Sequence, residues 1–194
     1  MQKQALAILA LAVLAGCQQV SLTPQLVKTL EPGYEDLKIS EVAIMRPTTT
    51  PQAGGKPAFF RDGLYQVMLN KKYSPISLQL LDNQAPDDLS PQELAKKLGE
   101  VHAILKSHLL SWNTRLYQGQ PYLVTALRLE LFSREGTKTL WSAHLENLWV
   151  PQKPETTLQQ LNEEVARIAL ESLPDRPVHS YKVQKGEVQK DEGK

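Results

Sequence analysis

The sequence predicts a mixed α/β (α+β) domain: one mixed sheet containing a three-strand antiparallel meander, with helices mainly on one face. Three observations carry this. Apolar residues recur at helical spacing over Phe60, Leu64, Val67 and Met68, and again over Leu158, Leu161, Val165 and Ile168. Ser90-Pro91-Gln92-Glu93 is a capping box that opens another helix. Between 101 and 150, three long apolar stretches are divided by Gln118-Gly119-Gln120 and by Ser133-Arg134-Glu135-Gly136, the pattern of consecutive hairpins. The order is β-α-β-α-β-β-β-α, and short strands separated by helices ahead of a meander argue for a single sheet.

Taken along the chain, Lys38 to Met45 reads as the first strand, stopped by Pro47. Thr48 to Lys56, with Pro51 and Gly54-Gly55, reads as a loop. Pro57 suits the first turn of a helix running to Lys72, because its missing N–H has no partner there anyway. Ile76, Leu78 and Leu80 alternate with Ser77 and Gln79, which predicts a second strand over Ser74 to Leu81. The capped helix over 90–98 stops at Gly99. Strands follow over 101–112, 122–132 and 137–150, then a helix over 155–173 ended by Pro174 and Pro177. Lys182 to Lys194 is charged, with only Val183 and Val188 apolar, and the tail from 174 to 194 is expected to be disordered.

The chain begins with Lys3 and then an unbroken apolar run, Ala5 to Ala15. The run suits a signal-peptide core and falls short of the ~20 residues that span a bilayer. It closes on Leu14-Ala15-Gly16-Cys17, and Cys17 is the only cysteine in the protein. The pattern resembles the bacterial lipobox at all four positions. That resemblance implies fatty acylation of the Cys17 thiol, cleavage after Gly16, and lipid attachment to a membrane. Two or more acyl chains anchor stably, whereas one binds only marginally. Gln18 and Gln19 follow the cysteine; by analogy with enteric-type sorting, the absence of Asp there favours the outer membrane. Residues 17–37, with Pro24, Pro32 and Gly33, read as a periplasmic tether; its 18 residues from Gln18 to Glu35 reach at most ~60 Å. The expected organisation is therefore a signal peptide (1–16), the lipidated cysteine and tether (17–37), a globular domain (38–173) and the tail.

Composition excludes several classes. Basic and acidic residues number 22 and 21, and cleavage removes Lys3, so the mature charge is balanced and no nucleic-acid partner is indicated. With Cys17 acylated, no disulfide or thiol nucleophile is possible. His102 and His108, six residues apart on a strand, are ~20 Å from one another, too far for one metal. His144 approaches one of them only across strands, and His179 lies in the tail. There is no G-x-S-x-G elbow and no H-E-x-x-H. Asp87-Asp88 reads as a solvated turn, and Gly54-Gly55-Lys56 lacks the spacing of a phosphate loop. No catalytic residue, metal or cofactor is expected. The stronger lead is aromatic: Trp112, Tyr117 and Tyr122 cluster around one hairpin end as a candidate partner surface, since Trp and Tyr are enriched at binding hot spots.

Three blocks together, Phe60–Asp82, Leu94–Trp112 and Thr125–Leu148, resemble periplasmic lipoproteins of the CsgG and TolB N-terminal-domain group. The shared marks are Lys72-Tyr73 entering a strand, Leu98-Gly99 before an apolar strand, and Gly136-Thr137-Lys138-Thr139-Leu140-Trp141 on the returning strand. The Asp that usually follows the glycine of the Leu-Gly pair is replaced here by Glu100-Val101-His102, and the long membrane-threading hairpins of CsgG itself are missing. The resemblance implies a compact α/β domain used for docking or assembly, in a group with no common enzymatic activity. The expectation is a non-catalytic envelope lipoprotein that docks a protein partner or copies of itself. Two alternatives stay open: an activator of an inner-membrane cell-wall synthase, and a periplasmic hydrolase.

Overall fold

The computed structural model describes residues 25–51, 53, 57–85, 89–117 and 119–176. Leu14, Ala15, Gly16 and Cys17, Gly54-Gly55-Lys56, Asp87-Asp88 and His179 lie outside the described residues. The strands are β1 (Gln25–Leu30), β2 (Glu41–Ile44), β3 (Thr48–Thr49), β4 (Ser74–Pro75), β5 (Ala103–Tyr117), β6 (Gln120–Ser133) and β7 (Thr139–Pro151). The helices are α1 (Pro57–Asn70), α2 (Leu78–Gln84), α3 (Pro91–Leu98) and α4 (Leu158–Ala169). The strands form one seven-stranded mixed sheet in the order β1-β7-β6-β5-β2-β4, with β3 beside β5. The β5–β6–β7 meander and β1 are antiparallel, while β2 is parallel to both β4 and β5. No helix of the described residues is long and apolar enough to cross a membrane.

The core follows from the two periodicities. Leu105 and Leu109 of β5, Leu127 and Leu129 of β6, and Ala143 and Leu145 of β7 point to one face and are buried there. The long helices α1 and α4 cover that face with Phe60, Leu64, Met68, Val165 and Ala169. The two short helices close part of the opposite face, where Leu81, Leu94 and Ala95 meet Ala43 and Ile104. The capping box on α3 forms as read, Ser90 accepting from the Glu93 amide and the Glu93 carboxylate accepting from the Ser90 amide. A second one, Thr157 with Gln160, opens α4.

Gly63 explains how α1 and α4 lie so close. A Cβ there would stand 2.9 Å from the Asn162 carbonyl oxygen and 3.1 Å from the Glu163 Cα, both backbone. Gly63→Val should therefore force the helices apart and lower stability by about 2–3 kcal/mol in urea unfolding, well above what helix propensity alone would give.

Three sequence expectations are corrected. The tether read over 17–37 ends early: Gln25–Leu30 pairs along β7 from Glu146 to Trp141. Tyr34 is then buried, its hydroxyl 2.8 Å from that of Tyr73, which itself donates to the Pro174 carbonyl at 2.9 Å. Burial first, then the neighbouring phenol, pushes Tyr34 far above the ordinary tyrosine range. The second strand, read over Ser74 to Leu81, is a strand only at Ser74–Pro75 and turns into α2 from Leu78. Of that apolar run only Leu81 is fully buried, and Leu80 is exposed, so the alternation never had a sheet face to fill. The tail starts later than 174: the Lys71 ammonium bonds the Leu173 carbonyl and Asp175, and the Arg176 amide bonds the Lys71 carbonyl.

Candidate interaction surface

The meander sets the geometry of the hairpin end. The β5–β6 loop is two residues long, Tyr117 pairing with Gln120, and Gly119 supplies the positive φ of 79° that such a loop needs. At mid-height the register shifts between Leu109 and Ser111 on β5 and between Thr125 and Leu127 against β7. Asn147, at φ 52°, marks the β7 bulge. Past these bulges the hairpin continues two pairs beyond the last β7 pair, Tyr122 with Pro151, with the Gln152 amide still donating to the Pro121 carbonyl at 2.9 Å, so the tip is a short arm.

The three predicted aromatics do not form one patch. Trp112 lies on the helix-covered face, edge-on to Phe60 with ring centroids 6.3 Å apart. Tyr122 pairs with Arg115, three residues from Trp112, and so points to the other face, where it meets Trp149 edge-on at 5.8 Å. The backbone of Tyr117 ends β5; its side chain lies outside the described residues. What the sequence reading missed is Leu116, 77% exposed on the arm and the most exposed large apolar side chain among those described. Arg115 beside it is exposed and makes no ion pair among the described residues. An apolar residue at the tip of a hairpin, just before a two-residue turn, was the signal available.

The histidines separate as their strands dictate. His108 and His144 both flank Arg128 in one row across the sheet, two strand spacings or ~10 Å apart. His108 bonds the Thr48 hydroxyl, and His144 stands 3.6 Å from Glu146. His102 precedes β5; its Nδ1 lies 3.1 Å from the Ser40 hydroxyl and accepts from the Glu41 amide, also at 3.1 Å. That is the nearest approach to a serine–histidine pair among the described residues. Among the described residues no carboxylate bonds the ring's other nitrogen, so the orienting third member of a triad is missing there. Among the described residues no group of three or more His, Asp or Glu side chains can hold a metal.

Among the described residues two roomy clefts lie on the surface. One, of about 430 Å³, lies at the opposite end of the sheet from the arm, with Leu37 and Leu140 below a rim of Lys38, Arg134 and Lys138; Glu31 neutralises Lys138 at 2.6 Å. The other, of about 440 Å³, runs between the C-terminal half of α1 and the outer side of α4. Val67 lines it together with Glu163, Glu164 and Glu171. Its two cations are already engaged, Arg167 with Glu164 at 2.7 Å and Lys71 with Asp175 at 3.1 Å.

Neither a protein-family model nor a curated protein sequence matches this chain. The fold does have solved counterparts. A PelC dodecamer from Paraburkholderia phytofirmans, carrying a single leucine-to-methionine substitution, aligns over all of its own chain and 79% of this one, with 13% identity and a TM-score of 0.55. A second crystal form of the PelC dodecamer from the same organism aligns over 80% of this chain and all of its own, at 11% identity and TM-score 0.54. Lipoprotein GNA1162 from Neisseria meningitidis is a weaker likeness, 10% identical over 68% of this chain and 96% of its own, with a TM-score of 0.46. At these identities the comparison establishes the fold, which this chain shares with a bacterial PelC; it does not establish membership of the CsgG and TolB group.

Proposed function

We propose that this protein is a membrane-anchored lipoprotein of the bacterial envelope, held in the outer membrane and facing the periplasm, where it works as a non-catalytic assembly component that packs against copies of itself. The carrying observation is the distance from anchor to fold. Cys17 lies eight residues before Gln25, where β1 has already joined the sheet. Eight residues reach at most ~30 Å, so a lipid on Cys17 holds the domain against its own membrane. Self-packing is supported by the fold shared with PelC, whose solved form is a dodecamer. The same shortening removes the ground for the synthase-activator reading, which needed a tether long enough to cross the space between membranes.

The test is fractionation of cells expressing Cys17→Ser. The native protein should sediment with the outer membrane, and the variant should leave it, because the lost acyl chains supply ~0.8 kcal/mol per buried CH₂. A variant that partitions as the native protein does removes the anchor. Sedimentation of the detergent-extracted native chain tests the second half: a species of many copies is expected, and a monomer at every concentration sinks self-packing.

A further inference from the structure

We infer that the β5–β6 arm is the assembly element and that it seats in the α1/α4 groove of a second copy, head to tail. This rests on the self-packing reading above and names the two surfaces involved. The arm carries an apolar residue and a cation, and the groove carries aliphatic surface and carboxylates. Leu116 is 77% exposed on a two-stranded tip, an apolar knob without a socket of its own. The groove offers about 440 Å³ with Val67 on its lining, and the stems of Lys71 and Arg167 add apolar surface beside it. Arg115, next in sequence, projects from the opposite face of the two-stranded tip, so a tip entering the groove turns Leu116 to one wall and Arg115 to the other. Among the groove carboxylates Glu164 has the salt bridge and the charge of Glu171 already acts on Arg167, which leaves Glu163 to receive a cation from outside.

The arm cannot reach its own groove. Trp112 packs on Phe60 at the first turn of α1, and the groove lies at the far end of that helix, around Asn70 and Lys71. Phe60 to Lys71 spans ~16 Å of helix, while Trp112 to Leu116 carries the tip ~13 Å in the opposite direction. The occupant must be another molecule. Knob and socket are different patches of one chain, so each copy can give an arm and receive one. Repetition of such a heterologous contact closes into a ring when the rotation per copy allows.

The experiment places Leu116→Cys and Asn70→Cys together in the otherwise native, acylated chain, whose only natural thiol, Cys17, is then occupied. Mild oxidation of intact cells should give a ladder of disulfide-linked species extending beyond the dimer, and neither single variant should give it. In detergent, Leu116→Asp should weaken association at least about tenfold while leaving the circular dichroism melt unchanged, and Arg115→Glu should be rescued by Glu163→Arg. An oligomeric protein that yields no ladder would overturn the arm-in-groove contact and leave self-packing standing. A ladder that stops at the dimer would overturn the head-to-tail arrangement. A monomeric protein overturns both. Leu116→Cys carrying an environment-sensitive dye is the last arm of the test: a blue shift on phosphatidylethanolamine–phosphatidylglycerol vesicles, with no change on self-association, would assign the tip to a bilayer and overturn the proposal.

Discussion

Gly136→Ala should be the most damaging single methyl in the protein, lowering stability by about 4 kcal/mol or more in guanidinium unfolding. Two effects add. Gly136 holds φ at 69°, which an alanine adopts only at ~1–2 kcal/mol. Its Cβ would also stand 2.5 Å from the carbonyl carbon and oxygen of Pro91 and 2.6 Å from the Gln92 amide nitrogen. Those atoms are backbone in the first turn of α3 and have no rotamer through which to yield. Either the 133–138 turn opens or α3 lifts, and α3 carries Leu94 and Ala95 into the second core. Gly99→Ala is the internal control. It too has a positive φ, 72°, but nothing lies within 4 Å of the new carbon, so only the conformational part should appear.

That pair of glycines also shows how far the sequence could be read. Both were legible as punctuation, one ending the capped helix and one closing a hairpin turn, because local backbone chemistry decides turns and caps. That the 133–138 turn packs on the start of α3 is a meeting of segments far apart in the chain, and no local signal encodes it. The meander and α4 were readable for the same reason as the caps: each buries one face and repeats its own period. β1 was not. Gln25–Leu30 is an edge strand with Leu26, Val27 and Leu30 all at least 39% exposed, so burial imposes no alternation on it, and the prolines at 24 and 32 make it resemble a tether. α2 was missed because Ile76, Leu78 and Leu80 happen to alternate over a helix of only seven residues.

The candidate surface was partly legible. The hairpin end itself was found, but its aromatics were grouped by sequence rather than by face. A two-residue loop at Gln118-Gly119 pairs Arg115 with Tyr122 and so places Trp112, an odd number of residues earlier, on the other side. That inference needed only the loop length. Leu116 was overlooked because a leucine in an apolar strand is ordinarily core; it lies on the helix-covered face but beyond Trp112, which already meets the first turn of α1 at Phe60, so no helix reaches it.

Arg61→Leu should lower stability by about 3 kcal/mol, and it should also change how the protein responds to acid. Arg61 is 5% exposed on α1, between the end of β2 and α2. Its Nε and one Nη donate to the Ile44 carbonyl at 3.0 and 2.7 Å, and its other Nη donates to the Asp82 carboxylate. Three elements therefore meet at one guanidinium, and leucine would leave the Ile44 oxygen buried without a donor. Asp82 also accepts from Arg46 at 3.0 Å and is 39% exposed, so it stays solvated when Arg61 goes, and the loss belongs mainly to the carbonyl and the packing. Arg61→Lys keeps the charge but not the fork, and should recover less than half of the loss. The acid response follows from Asp82. Burial raises its pKa, the hydrogen bonds and charges of Arg61 and Arg46 lower it, and lowering prevails, so its folded value lies below the ordinary 3.8. A carboxyl depressed on folding stabilises fully above its unfolded value, and that stabilisation disappears as the pH falls through the lower, folded one. The native protein should therefore lose stability steeply below about pH 4 as measured by urea midpoints, and Arg61→Leu should lose less over the same interval because one of the two cations holding Asp82 ionised is gone. Parallel pH profiles for the two proteins would show that Arg61 and Asp82 are not coupled and that the junction of α1, β2 and α2 is held by the Ile44 carbonyl alone.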